Sequence, residues 1–100
     1  LGIAPNSPFP LTDLGRAYDE LGQYQEAIAS YKEATRISPD YGVAHILLGD
    51  TYAELGQHKE AIASYKEYLS INPKNTAIRN LLNNLEQKTA YGIENELPTE

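Results

Sequence analysis

Apolar residues recur at steps of three and four along most of this chain. Leu11, Leu14, Tyr18 and Leu21 form one run, and Ala27, Ile28, Tyr31 and Ala34 form the next. That spacing keeps apolar side chains on one face of a 3.6-residue turn, so each run predicts an amphipathic helix. Gly22 and Gly56 are placed to stop the first helix of each pair, because the residue just past a helix end commonly takes positive φ. Pro39 and Pro73 close the second helices, since proline cannot donate the next backbone hydrogen bond. Asp40 and Asn75 follow them, placed to cap what comes next. The pattern predicts helices over roughly 9–21, 24–37, 42–55, 58–71 and 76–90.

The pattern repeats. Residues 8–41 laid over 42–75 match in more than a dozen places at an offset of 34. Leu14-Gly15 falls on Leu48-Gly49, Tyr18 on Tyr52, and Glu20-Leu21-Gly22-Gln23 on Glu54-Leu55-Gly56-Gln57. The block EAIASYKE, from Glu26 to Glu33, recurs intact from Glu60 to Glu67.

These residues resemble the tetratricopeptide repeat, whose pattern is W-x₂-L-G-x₂-Y, then A-x₃-F, then P. The first unit places it on Leu11, Leu14, Gly15, Tyr18, Ala27, Tyr31 and Pro39; the second uses His45, Leu48, Gly49, Tyr52, Ala61, Tyr65 and Pro73. Leu11 and His45 stand where the pattern has tryptophan, and Tyr replaces Phe. The resemblance implies an all-α fold: a right-handed α-α superhelix with two helix-turn-helix repeats, 8–41 and 42–75, and a C-terminal capping helix over 76–91. Glycine inside a helix costs about 0.5–1 kcal/mol relative to alanine, so Gly15 and Gly49 predict a compensating close approach of the second helix. Ala27 and Ala61 are small for the matching reason. Tyr18, Tyr31, Tyr52 and Tyr65 are expected to fill the space between successive units.

Residues 76–90 begin as a third unit, but Asn83 and Glu86 stand where Gly and Tyr belong. Ile78, Leu81, Leu82 and Leu85 make one apolar stripe, and Asn80, Asn84, Gln87 and Lys88 make a wet face, the profile of a cap that shields a solenoid's last repeat. Residues 92–100, GIENELPTE, read as a mobile acidic tail. At the other end, LGIAPNS aligns with TRISPDY and LSINPKN, so residues 1–7 are expected to be the tail of a preceding repeat and the chain the C-terminal part of a longer array. Pro8-Phe9-Pro10 then opens the first helix, with prolines where a first turn tolerates them. A first helix without its neighbour is expected to pair with another copy, giving self-association through exposed repeat ends.

Composition narrows the chemistry. Eight Lys and Arg against fourteen Asp and Glu give a net charge of −6, which disfavours a grip on nucleic-acid phosphates or anionic membranes and mildly favours neutral or basic partners. There is no cysteine, hence no disulfide and no thiolate zinc site, a usage that fits a cytoplasmic setting without fixing it. The longest apolar run, Ala44 to Gly49, is interrupted by His45 and far short of a membrane span. No catalytic, metal or cofactor site is expected. His45 reads as a ring packed between helices, and His58 as a solvated residue opening a helix. Ser30 and Ser64 read as helix surface. The glycines never assemble into G-x-G-x-x-G or a phosphate loop. Asp19, Glu20, Asp50 and Glu54 read as a solvated rim, and Glu26, Lys32, Glu33 and their copies as the outer wet face.

The remaining candidate site is implied by the resemblance. Tetratricopeptide arrays line a concave groove with their first helices, and that groove takes an extended peptide or a partner helix. The matching positions here are Phe9, Thr12, Arg16, Asp19 and Glu20, then Val43, Ile46, Asp50, Ala53 and Glu54, then Ala77, Asn80, Asn84 and Lys88. Phe9, Val43 and Ile46 suit apolar side chains of a ligand, Asn80 and Asn84 its backbone, and Asp50 and Glu54 a basic group; alternatively, Phe9 and Val43 pack against the neighbouring repeat. Some members hold the acidic tail of chaperones with Lys, Asn, Asn, Lys and Arg. Those positions here are Thr12, Arg16, Leu47, Ala77 and Leu81, with a single basic residue, so that ligand is not expected. The expected role is a non-catalytic protein-interaction module. The alternative is a structural or self-associating segment of a longer array attached to an enzyme elsewhere.

Overall fold

The structure, a computed structural model, describes residues 7–91. Most of the expected closing turn of an earlier repeat, residues 1–6, and the acidic tail, residues 92–100, lie outside the described residues. Five helices follow one another: α1 (Phe9–Glu20), α2 (Tyr24–Ile37), α3 (Gly42–Glu54), α4 (His58–Ile71) and α5 (Thr76–Tyr91). No strand occurs among the described residues.

Local chemistry sets the helix ends. At the start of α1, Pro8 is the N-cap, a proline occupies the first turn, and the Phe9 N–H donates to Ser7 Oγ at 3.3 Å. α1 and α3 end alike, with Gly22 and Gly56 at φ of 76° and 75°. The following amides turn back onto the helix: Gln23 N–H donates to Tyr18 O at 2.8 Å and Gln57 N–H to Tyr52 O at 2.9 Å, which satisfies carbonyls the helix would leave open. Asn75 caps α5 as expected, its Oδ1 accepting the Ile78 N–H at 3.1 Å. Asp40 does not cap α3. Tyr41 takes the N-cap position with no side-chain hydrogen bond; it is Tyr41 that aligns with Asn75, while Asp40, exposed and aligned with Lys74, lies one residue too early to cap.

Each helix packs chiefly against its neighbours in sequence, α1 on α2, α2 on α3, α3 on α4 and α4 on α5. Within each pair the close approach falls on glycine. A Cβ placed on Gly15 would lie 2.4 Å from Tyr31 Cε1, and one on Gly49 would lie 2.6 Å from Tyr65 Cε1. Tyr31 and Tyr65 therefore fill notches inside their own pairs rather than the space between pairs, while Ala27 and Ala61, fully buried, let the same helices meet. Ser30 and Ser64 are buried, not surface, because each lies one turn from alanines of the packed stripe, Ala27 and Ala34 for the first and Ala61 for the second.

Equivalent positions differ in burial along the array. Leu48 is 5% exposed and Leu82 7%, whereas Leu14, at the same repeat position, is 46% exposed. Leu21 is likewise open where Leu55 is partly buried. The cause is neighbour number: α2 covers α3 and α4 covers α5, but among the described residues no helix covers that face of α1.

Candidate functional site

The odd-numbered helices line a groove of about 680 Å³. α1 supplies Asp19 and Glu20, α3 supplies Leu47, Asp50, Ala53 and Glu54, α5 supplies Leu81, and Tyr65 of α4 completes the lining. Leu47, Asp50 and Glu54 fall at three- and four-residue steps, so one stripe of α3 forms the middle of the groove.

Two of the carboxylates are held by buried hydroxyls. Tyr31 donates to Asp19 Oδ2 at 3.1 Å, and Tyr65 donates to Asp50 Oδ1 at 2.5 Å. Burial, reinforced by the adjoining Asp19 carboxylate, pushes the Tyr31 hydroxyl well above the ordinary tyrosine range; burial and the hydrogen bond to Asp50 do the same for Tyr65. Thr51 Oγ1 lies 2.9 Å from both Asp19 Oδ2 and Leu47 O, and so ties α1 to α3 across 32 residues of sequence. Asp19 Oδ1 is buried with no hydrogen-bond partner. Asp19 and Asp50 are thus more than a solvated rim, whereas Glu20 and Glu54 are exposed as expected.

The equivalent tyrosines use non-equivalent partners. Asp50 aligns with Arg16 and Asp19 with Ala53, so the repeat does not encode this hydroxyl–carboxylate pairing. Arg16, near Tyr31, pulls its hydroxyl in the opposite direction to Asp19.

Of the residues expected at the groove, Asp19, Glu20, Asp50, Ala53 and Glu54 line it. Phe9 is exposed but stands edge-on to Tyr41, ring centroids 5.3 Å apart. Thr12 is buried and donates to Phe9 O at 2.9 Å, so its hydroxyl is spent within its own helix. Ile46 is half-buried against the core. Arg16, Val43, Ala77, Asn80, Asn84 and Lys88 are exposed and lie outside the groove lining. Leu47, Leu81 and Tyr65 were not among the expected groove residues. The signal for the leucines was present, because both occupy positions that hold polar or basic ligand-binding residues in chaperone-tail binders.

A smaller crevice of about 260 Å³ runs between α2, α3 and α4 and includes His45, Leu48, Tyr52 and Ser64. His45 is buried, and its Nε2 donates to Pro39 O at 2.9 Å; a carbonyl can only accept, so the proton is on Nε2 and the ring serves to pin a loop. His58 is half-buried rather than solvated, its Nδ1 enclosed without a partner. Among the described residues no three His, Asp or Glu side chains converge closely enough to hold a metal ion, and no helix is long and apolar enough to cross a membrane.

The family model described as tetratricopeptide repeat matches residues 20–85. No curated protein matches the chain. Among solved structures, the first tetratricopeptide repeat domain of Spaghetti (RPAP3), bound to an HSP90 peptide SRMEEVD, is similar at 26% identity and a TM-score of 0.78 over 86% of this chain and 70% of that one. The Sgt2 tetratricopeptide repeat domain from Aspergillus fumigatus is similar at 25% identity and a TM-score of 0.80 over 100% of this chain and 68% of that one. MamA protein shares the fold, at 23% identity and a TM-score of 0.67 over 95% of this chain and 61% of that one. With the family model matched over residues 20–85, well over half of the chain, the chain belongs to the tetratricopeptide repeat family.

Proposed function

We propose that this chain is a non-catalytic interaction module that holds a peptide or partner helix in the groove between α1, α3 and α5. The observation that carries the reading is the groove itself, where the partly buried Leu47 and Ala53, the exposed Leu81 and the carboxylates of α1 and α3 stand together on three separate helices. Leu81 is 37% exposed there, an apolar surface that gains by being covered. A structural relative bound to a short peptide supports the same use of the fold. The test is to titrate the isotope-labelled chain with a pool of short peptides and follow backbone amides by NMR. Shifts centred on Leu47, Ala53, Glu54 and Leu81 are the expected result; shifts confined to the outer faces of α2 and α4 would overturn the reading.

A second reading, a structural or self-associating segment, is favoured by one observation: a face of α1 that no helix covers among the described residues, with Leu14 46% and Leu21 70% exposed. Equilibrium sedimentation decides it. A concentration-dependent dimer that Leu14→Glu disperses supports the reading, and a monomer at every concentration removes it.

A further inference from the structure

We propose that the groove selects an extended basic segment, one in which Lys or Arg alternates with apolar residues; the inference rests on the groove reading above. Four carboxylates, Asp19, Glu20, Asp50 and Glu54, line the groove, and no Lys, Arg or His does. Arg16, near Tyr31, offsets part of that charge through space, but no cation on the lining helices pairs with it directly among the described residues. Arg79 is turned to Pro73 O, and neither Arg16 nor Lys88 forms an ion pair among the described residues. The two ion pairs that form among the described residues, Arg36–Glu33 and Lys66–Glu86, involve none of the lining residues.

The carboxylates stand on two of the lining helices, Asp19 and Glu20 on α1 and Asp50 and Glu54 on α3. Among the described residues no three acidic groups converge as a metal ion would require, so cations carried on one chain fit Glu20, Asp50 and Glu54 where a single ion does not. Leu47 and Leu81 line the same groove and offer apolar contact. Asp50 is also pre-organised. Tyr65 fixes it through Oδ1 and leaves the rest of an exposed carboxylate open, so little ordering of it remains to be done on binding; Asp19, its Oδ2 bonded to Tyr31 and Thr51 and its Oδ1 buried, adds negative charge rather than a direct contact. The net charge of −6 adds steering toward a cationic partner and away from an acidic one.

Fluorescence anisotropy on the full chain with three labelled heptapeptides, KLKALRK, QLQALQQ and ELEALEE, tests this. The basic peptide is expected to bind about tenfold or more tighter than the neutral one, with the acidic one weakest, and to lose about fivefold between roughly 50 and 300 mM NaCl. Glu20→Gln with Glu54→Gln is expected to weaken it about fivefold. Glu26→Gln with Glu60→Gln removes the same charge outside this groove and is expected to change it less than about twofold. Equal binding of the basic and neutral peptides, or equal loss in the two double variants, overturns the charge selectivity. Leu81→Ser separates that failure from failure of the groove: if it weakens whichever peptide binds, the groove reading stands without its charge preference. If none of the three binds, both fall together.

Discussion

The glycines of this chain serve two unrelated physical demands, and substitution separates them. Gly22 and Gly56 have nothing within 4 Å of an added Cβ, yet sit at φ near 75°. Alanine there meets only left-handed backbone strain, about 1–2 kcal/mol. Gly15 and Gly49 have ordinary helical backbone, where alanine would by itself gain about 0.5–1 kcal/mol. Their Cβ would meet the rings of Tyr31 and Tyr65, and overpacking of that kind typically costs about 1–3 kcal/mol. Gly49→Ala is therefore expected to lower stability in urea melts despite its better helix propensity, and a rise would show that the ring yields freely. The tyrosines give a pH prediction. Both hydroxyls are raised in the folded state, so the stability they lend is intact below the unfolded value near 10 and is lost as pH climbs through the folded values. The melting temperature should fall with rising alkalinity, less steeply in Tyr31→Phe with Tyr65→Phe; an unchanged slope would detach the effect from these rings.

At the scale of elements, helix positions were legible because period and punctuation agree: apolar steps of three and four, glycine after one helix, proline after the next. Caps were legible only where the side chain sits at the right residue. Asn75 immediately precedes α5 and accepts from Ile78, whereas Asp40 lies one residue before Tyr41, the N-cap of α3. Asn75→Ala should cost about 1 kcal/mol, and Asp40→Ala should fall within about 0.5 kcal/mol of wild type in the same melts. Equal losses would mean that Asp40 caps in solution. The groove was half legible for a similar reason. Carboxylates and exposed helices could be aligned with the family pattern, but a tyrosine from an even-numbered helix and the Asp19–Thr51 link depend on how far one helix turns against another. A sequence repeat of 34 cannot carry that, because although the tyrosine recurs its partners do not: Asp19 aligns with Ala53, Asp50 with Arg16 and Thr51 with Ala17.

Over the whole molecule, contacts between sequence neighbours make the stability of each position depend on how many helices flank it. α3 buries six residues between α2 and α4, while α1 buries only Thr12 and Gly15. Stability in such an array is close to a sum of unit and interface contributions, so the ends should open before the middle. Leu14 and Leu48 test this at one repeat position with one chemistry. Leu48→Ala removes a side chain that is 5% exposed and should cost about 2–5 kcal/mol. Leu14→Ala trims one that is 46% exposed and should cost under about 1 kcal/mol. Native-state hydrogen exchange should show the same gradient without mutation, slowest in α3 and α4 and faster in α1 and α5. If α1 amides exchange as slowly as those of α3 at low protein concentration, the helices unfold as one body and the nearest-neighbour account fails. If they slow only as concentration rises, the open face of α1 is being covered by a second copy, and the Leu14→Ala penalty should grow in step.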